Sequence, residues 1–226
     1  MSDLSPYSLE KIEEETVDRY RRRYQDFGYD ARTLGWGSRE QQNYRFAQTL
    51  KGPLEFAHQS VIDIGCGFGD YLSYLREAQQ NVSSYVGWDV NPELVTEANR
   101  RYAEDNSARF AVRNLMDSGV DEASLRPVAN IGVMLGVLNF NLAGTADNNL
   151  YSELAIKRAW ALSDKGLVVD FLSSHRDPKY PAETWVFYHD PERVLSYALT
   201  LSSRVTLKHN YLPIPQREFM LFIERE

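Results

Sequence analysis

The stretch VIDIGCGFGDYL, Val61 to Leu72, decides the fold of this chain. An apolar run leads directly into three glycines at alternating positions, Gly65, Gly67 and Gly69, and an acid, Asp70, follows the last of them. A glycine turn lets the main chain come close to a bound molecule, because no side chain stands in the way. The stretch therefore predicts a buried strand, a tight turn and a helix, with a ligand against the turn.

The rest of the chain after Gly52 alternates between strand and helix patterns. The predicted strands are Ser60 to Ile64, Ser84 to Trp88, Ala108 to Val112, Ala129 to Leu135 and Gly166 to Leu172; the predicted helices are Tyr71 to Gln79, Pro92 to Ala103, Leu150 to Ser163 and Asp190 to Thr200. Short strand, helix, strand spacing indicates an α/β fold, a mostly parallel sheet with helices on both faces. At the end, RVTLKHNY and REFMLFIE flank LPIPQ, which predicts an antiparallel hairpin with a proline-containing turn.

The first 51 residues have a different pattern, that of two amphipathic helices. Ser8 to Phe27 carries an apolar stripe, with acids near its start and arginines near its end, and Ser8 is the expected cap. Ser38 with Gln41 three residues later is a capping-box pattern, which opens a second helix to about Leu50. We therefore expect residues 1–51 to form a helical cap or lid, and residues 52–226 to form the ligand-binding domain.

Composition restricts the possible partners. The net charge of −7 disfavours nucleic acid, which usually requires a basic footprint. No apolar run approaches the ~20 residues of a membrane span, and the acidic N-terminus does not resemble a secretion signal, so we expect a cytoplasmic protein. The single cysteine, Cys66, excludes an internal disulfide and a thiolate metal site, and it is expected to be a buried core residue. The sequence does not indicate the oligomeric state.

Two kinds of nucleotide cofactor compete for the glycine turn. A dinucleotide fingerprint, G-x-G-x-x-G/A, requires a small residue at its sixth position, where this chain has Asp70. A carboxylate there would oppose the binding of a pyrophosphate at the helix N-terminus. The acid therefore disfavours an NAD-dependent reductase and favours a ligand that carries positive charge, although Asp70 could also be the N-cap of the next helix.

The quoted stretch resembles motif I of the class I S-adenosylmethionine-dependent methyltransferases, acidic-x-G-x-G-x-G. YVGWDVNPELVTEA, Tyr85 to Ala98, resembles the second motif of that family. The resemblance implies S-adenosylmethionine as cofactor, a Rossmann-like sheet of seven strands in the order 3-2-1-4-5-7-6, and a methyltransferase activity. Residues that match these motifs by position are Asp63 (the motif I acid), Gly65 and Gly67 (next to the cofactor), Asp89 (the acid for the ribose hydroxyls) and Val90 (beside the adenine).

Looser matches extend the resemblance to other parts of the chain. FAVRNLMD places Asn114, Leu115 and Met116 where family members contact adenine, and VMLGVLNF places Leu135 and Gly136 beside the methionine part. In GWGSREQQNYRF, the residues Trp36, Ser38 and Arg45 resemble lid residues that reach the cofactor carboxylate. Each match also has a purely structural alternative. Leu115, Met116 and Leu135 could be core residues, and Asp63 could accept hydrogen bonds from neighbouring main-chain amides. The second helix could be an amphipathic helix that packs on the sheet edge. Members of this family commonly have an acid at the start of the fourth strand, where this chain has Asn130.

The methyl acceptor is the least determined feature. Enzymes that methylate base amines carry D/N-P-P-Y/F after the fourth strand, where this chain has LNFN, Leu138 to Asn141, and the same segment contains no acid for a metal. We therefore expect no metal, and an acceptor that is a small molecule or glycan, methylated at oxygen. His175, after the fifth strand, and His189 are the candidate general bases, because imidazole titrates near neutral pH. The alternative function is a partner or sensor protein that binds S-adenosylmethionine without catalysis.

Overall fold

The structure is a computed structural model that describes residues 4–212 and 216–226. Within these ranges the chain forms one seven-stranded sheet with the strand order β3-β2-β1-β4-β5-β7-β6. The strands are β1 (Ser60–Ile64), β2 (Ser84–Asp89), β3 (Ala108–Val112), β4 (Ala129–Met134), β5 (Ser163–Leu172), β6 (Val205–Lys208) and β7 (Glu218–Glu224). The helices are α1 (Pro6–Phe27), α2 (Arg39–Thr49), α3 (Asp70–Glu77), α4 (Pro92–Arg101), α5 (Asn148–Ala161) and α6 (Pro191–Ala198), with a short 3₁₀ turn at Glu122–Ser124.

The strand pairing confirms the predicted α/β architecture. β1 pairs with β2 and β4, β2 with β3, and β4 with β5, all in parallel. β7 pairs antiparallel with both β5 and β6, so the predicted C-terminal hairpin closes the sheet. The predicted proline-containing turn includes residues 213–215, which lie outside the described residues.

Both faces of the sheet are buried, so the strands contribute to two cores. Along β1, Val61 packs into the core that includes Tyr71 of α3, and the next residue, Ile62, packs into the core that includes Ile156 of α5. The same alternation occurs along β7, because successive side chains of a strand point to opposite faces. Helices on both faces hold the ends of β1 and β2 in fixed positions.

Four predicted helix starts, those of α1, α3, α5 and α6, differ from the observed ones by one or two residues, and two of them show the physical reason. α1 begins at Pro6, and its cap is Ser5, whose Oγ accepts a hydrogen bond from the Ser8 amide at 3.1 Å. Proline is favoured in the first turn, where its missing N–H is not needed, and this shifts the start. α3 begins at Asp70, and its N-cap is Gly69 in a left-handed conformation, so Asp70 is not the cap. The second helix does begin as predicted, because Ser38 Oγ accepts from the Gln41 amide.

Among the helices of the described ranges, none combines the length and the apolar character needed to cross a bilayer.

Candidate active site

A large cleft, here the main cleft, lies between α1 and the carboxyl ends of β1, β2 and β4. It contains about 1280 Å³ of empty space, its open mouth included. The position agrees with the general rule that open parallel sheets bind ligands beyond the carboxyl ends of their strands.

Most residues that the sequence predicted for cofactor binding line the main cleft. These are Trp36, Asp63, Gly65, Gly67, Asp89, Val90, Leu115, Met116, Leu135 and Gly136. Within the described part of the chain, the lining does not include Ser38, Arg45, His175 or His189. The fold therefore brings predicted residues from four strand ends, those of β1, β2, β3 and β4, into one cavity.

The glycine loop between β1 and α3 forms the floor of the cleft. Gly65 and Gly67 have φ angles of +78° and +52°, a region that favours glycine. A Cβ atom on Gly67 would lie 2.8 Å from Leu34, and one on Gly65 would lie 2.5 Å from Val137. The Gly65 amide donates to the Trp88 carbonyl at 2.7 Å, which ties the loop to the end of β2. The loop is thus held closely packed on both sides.

Asp89 lies at the tip of β2 and is 8% exposed. Its two carboxylate oxygens accept one main-chain hydrogen bond each, from Gly67 and Asn91, both at 2.9 Å. Burial raises the pKa of Asp89, and these amides act in the opposite direction. A carboxylate has about four acceptor sites, so two remain available for a pair of hydroxyl groups.

Asp63 at the end of β1 is buried, and the Tyr85 hydroxyl donates to its Oδ2. Burial raises the pKa of Asp63 to about 7; the Tyr85 hydrogen bond lowers it, and the charges of Asp89 and Asp70 raise it. Asp63 and Asp89, which have no basic partner among the described residues, therefore place acidic groups beside the glycine loop. Such a site fits a cationic ligand better than a phosphate.

Asp70 holds the N-terminal helices to the sheet domain. Its carboxylate pairs with Arg39 of α2 and with Arg101 of α4, both at 2.8 Å, and it accepts from the Tyr29 hydroxyl at 2.9 Å. The Asp70 side chain is 3% exposed, so this network is largely removed from solvent on the acid's side. The acid that replaces a small residue in the glycine motif is therefore neutralised by two arginines.

The three lid candidates of the sequence occupy different positions. Trp36 lines the main cleft, whereas Ser38 caps α2. Arg45 is 7% exposed, pairs with Glu218 of β7, and its guanidinium lies 4.8 Å from the centre of the Trp36 ring. Arg45 thus stabilises Trp36 from behind the cleft wall, and the predicted contact of Ser38 and Arg45 with the cofactor stays a prediction.

α1, which belongs to the predicted cap or lid, forms a roof over the cleft, but none of its residues was among the predicted site residues. Its cleft-lining side chains are Leu9, Ile12, Glu13, Thr16 and Tyr20. Two other contacts fasten α1 to α4: the Asn91 side-chain amide donates to the Val17 carbonyl at 3.1 Å, and Arg21 pairs with Glu93 at 2.9 Å. The sequence feature that could have indicated these cleft-lining residues is the position of two polar residues, Glu13 and Thr16, beside the apolar stripe of the helix.

Asp170 in β5 is a second buried acid that was not predicted from the sequence. Its Oδ1 accepts from the Gly136 amide at 2.5 Å, and burial raises its pKa to about 6. The hydrogen bond fixes the turn after β4, where Leu135 and Gly136 line the cleft. The sequence feature that could have indicated this buried acid is its position inside the apolar run LVVDFL.

The two candidate histidines have contrasting surroundings. His189 is fully buried between the rings of Phe171 and Phe187, and its Nε2 lies 2.9 Å from the Leu138 carbonyl oxygen. Burial lowers the pKa of His189 to about 4, so the ring is neutral. His175 is exposed, with its ring centre 6.0 Å from that of His209. Of the two, His175 is the one that solvent and ligands can reach.

Comparisons with known proteins agree with this geometry. A family model described as "Methyltransferase domain" matches residues 61–145. A Mycobacterium tuberculosis protein whose name assigns it to the methyltransferases, Rv1506c, is 27% identical over 154 residues, which is 67% of this chain and 86% of that protein. Among solved structures, an O-methyltransferase family protein from Burkholderia thailandensis has a TM-score of 0.56 at 17% identity, and the match covers 89% of this chain and 62% of that one. The small RNA methyltransferase HEN1 has a TM-score of 0.59 at 17% identity, with 82% of this chain and 25% of that one covered.

The motif spacing, the strand order and the lining of the cleft all agree with these matches. The chain matches a methyltransferase domain over residues 61–145 and has the fold of class I S-adenosylmethionine-dependent methyltransferases, which supports a methyltransferase that uses S-adenosylmethionine as its cofactor. The buried acids fit this cofactor, because it carries a sulfonium and an ammonium group but no phosphate, and Asp89 retains acceptor capacity for a ribose. The cofactor supplies an electrophilic methyl group; the protein must orient it and exclude water.

Proposed function

We propose that this enzyme transfers the methyl group to an oxygen atom of a small molecule or glycan. The observation that carries the proposal is the roof over the main cleft: α1 covers the strand ends, and apolar and aromatic side chains line the space below it. A covered site of this kind suits a compact acceptor, and the exclusion of water strengthens the electrostatic interactions inside. The O-methyltransferase family protein from Burkholderia thailandensis shares the fold alone, so the acceptor panel described below tests which atom is methylated.

The charge of the protein supports a small acceptor over a nucleic acid. The net charge is −7, whereas binding to a polyanion usually rests on a basic surface. The likeness to HEN1 is a likeness of fold and implies no RNA substrate for this chain.

For the cofactor, we propose the orientation that the motif residues indicate. Asp89 accepts the two ribose hydroxyls, Gly65 and Gly67 lie against the cofactor's main body, and Asp63 faces its positively charged end. Methyl transfer is an in-line displacement, so correct orientation can contribute roughly 7 to 11 kcal/mol of the barrier reduction. In this proposal the chain contributes mainly by orienting the reactants, and His175, which is exposed but does not line the main cleft, is the candidate base for an acceptor that extends beyond the cleft.

The test is turnover with a panel of sugars, phenols, carboxylates and other hydroxylated metabolites, together with RNA and DNA oligonucleotides. Release of S-adenosylhomocysteine, with a methylated sugar or metabolite seen by mass spectrometry, is the expected result. Methylation of an oligonucleotide alone would contradict the proposal. Cofactor binding with no turnover on any acceptor would favour the sensor function instead.

Once an acceptor is found, His175→Ala tests the general base. Loss of a general base typically lowers kcat by about 10² to 10⁴ fold. His58→Ala is the matched control, because His58 is exposed and precedes β1, at the opposite end of the strand from the cleft. An unchanged kcat for His175→Ala would show that orientation alone supports the reaction.

A further inference from the structure

The position of the base follows from the sheet order. β2 lies between β1 and β3, and Asp89 is at its tip. If the charged end of the cofactor lies over β1 and the ribose on Asp89, the adenine must lie on the other side of Asp89, towards the segment after β3. There Ile12 and Leu9 of α1 face Leu115 and Met116 across an apolar slot.

Asn114 lies at this slot, but its side chain already has partners. Its Oδ1 accepts from the Met116 amide at 2.8 Å, and its Nδ2 donates to Oε2 of Glu13 at 2.8 Å. The amide oxygen therefore fixes the turn after β3, and the amide nitrogen holds the roof helix. The carboxylate of Glu13 is the acceptor that remains.

Glu13 is the acid that α1 contributes to the lining of the cleft, and no arginine or lysine of the described ranges neutralises it. Asp70 and Glu93 both pair with arginines, whereas no salt bridge joins Glu13 to a residue of those ranges, and its Oε1 accepts no hydrogen bond from them. Glu13 is half-buried and lines the cleft. Burial, and then the charge of Glu13, raise the pKa of the neighbouring Tyr151 hydroxyl.

A half-buried carboxylate oxygen that lines the cleft can accept a hydrogen bond from a ligand bound there. We propose that Glu13 of α1 is a specificity-determining residue that accepts a hydrogen bond from the exocyclic amine of the cofactor's adenine. A side chain of the roof helix, α1, then recognises adenine through a direct hydrogen bond. A purine with a keto oxygen at this position would present acceptor to acceptor and would be rejected. The inference depends on the cofactor orientation proposed above and not on the identity of the methyl acceptor.

The experiment compares S-adenosylhomocysteine with S-inosylhomocysteine, which has a keto oxygen in place of the amine, by calorimetry. The wild-type protein should prefer the adenosine compound by at least about tenfold. Glu13→Ala should weaken its binding by about 10 to 150 fold, the range for a hydrogen bond to a charged group. Glu13→Gln should bring the two affinities within about threefold, because an amide can donate to the keto oxygen as well as accept from the amine.

Two variants serve as controls. Glu14→Gln changes the exposed acid that follows Glu13 on α1, and this variant should keep the wild-type preference for the adenosine compound. Asn114→Ala removes the partner of Glu13 and should keep the preference for adenosine, with a smaller loss of affinity than Glu13→Ala. The proposal is overturned if the wild-type protein binds both compounds equally, if Glu13→Gln retains the full preference, or if only Asn114→Ala abolishes it. Absence of binding to either compound would instead reject the cofactor orientation itself, independently of any turnover result.

Discussion

The two walls of the main cleft are held by different kinds of interaction. The sheet wall, the ends of β1, β2 and β4, is fixed by hydrogen bonds of the main chain, such as those that the Gly65 and Gly67 amides donate to Trp88 and Asp89. The cap wall, α1 with α2, is fixed by side-chain contacts over long distances in sequence, such as Asp70 with Arg39. Main-chain contacts require a local backbone shape, whereas side-chain contacts require only two complementary groups in reach. Mutations in the sheet wall should therefore reduce cofactor binding, whereas mutations in the cap wall should reduce the stability of the fold.

The largest expected effect comes from breaking the sheet wall with Gly67→Val. A side chain at φ +52° is strained, and its Cβ would lie 2.8 Å from Leu34, so the loop must move out of position. Wild-type protein at a hundredfold excess of S-adenosylhomocysteine over its dissociation constant gains ~2.7 kcal/mol, a rise in melting temperature of roughly 5 to 11 °C. The variant should show no rise.

The matched control for this variant is Gly119→Val, at an exposed loop glycine away from the cleft. It should retain the full shift in melting temperature. A normal shift for a folded Gly67→Val protein would mean that the cofactor does not lie against this loop.

The next largest effect should come from Asp70→Ala, which breaks the cap wall. This change leaves Arg39 and Arg101 without their shared carboxylate. Loss of one partner of a buried ion pair costs about 3–5 kcal/mol; because Arg39 is partly exposed, we expect about 3 kcal/mol, or a fall in melting temperature of roughly 6 to 12 °C. Thermal unfolding measures the change, with Glu77→Ala, an exposed acid of the same helix, as control. A stability equal to that of the control would show that Asp70 does not hold the cap.

The difference between the walls also explains what could be predicted from the sequence. β1 was predicted with its observed bounds, Ser60–Ile64, and the strand order was correct, because apolar runs and glycine turns are local patterns. The partners of Asp70 were not predictable, since Arg39 and Arg101 each lie 31 residues away and ion pairs have no periodicity. The contact between Glu13 and Asn114 spans 101 residues. For this reason the sequence predicted a helical cap or lid but none of the α1 residues that line the cleft.

The smallest expected effect is the pH dependence of cofactor affinity. It tests the sheet wall alone, because the titrating group, Asp63, lies in β1. Burial raises the pKa of Asp63 to about 7, so below that pH the folded protein holds a proton that the cationic cofactor must displace. Affinity for S-adenosylmethionine should therefore rise by about tenfold per pH unit up to about pH 7 and then level off. Titration calorimetry from about pH 5.5 to 8 measures the slope.

Without cofactor, the same proton on Asp63 changes stability in the opposite direction. Between about pH 4 and 7 the folded state binds this proton and the unfolded state does not, so stability from this group falls as the pH rises. Asp170 and Glu218 titrate in the same range, with pKa values of about 6 and 7, so Asp63→Asn is the necessary control for both measurements. That variant should bind the cofactor weakly at every pH with a much flatter slope, whereas an unchanged slope would assign the proton to another group and remove Asp63 from the cofactor site.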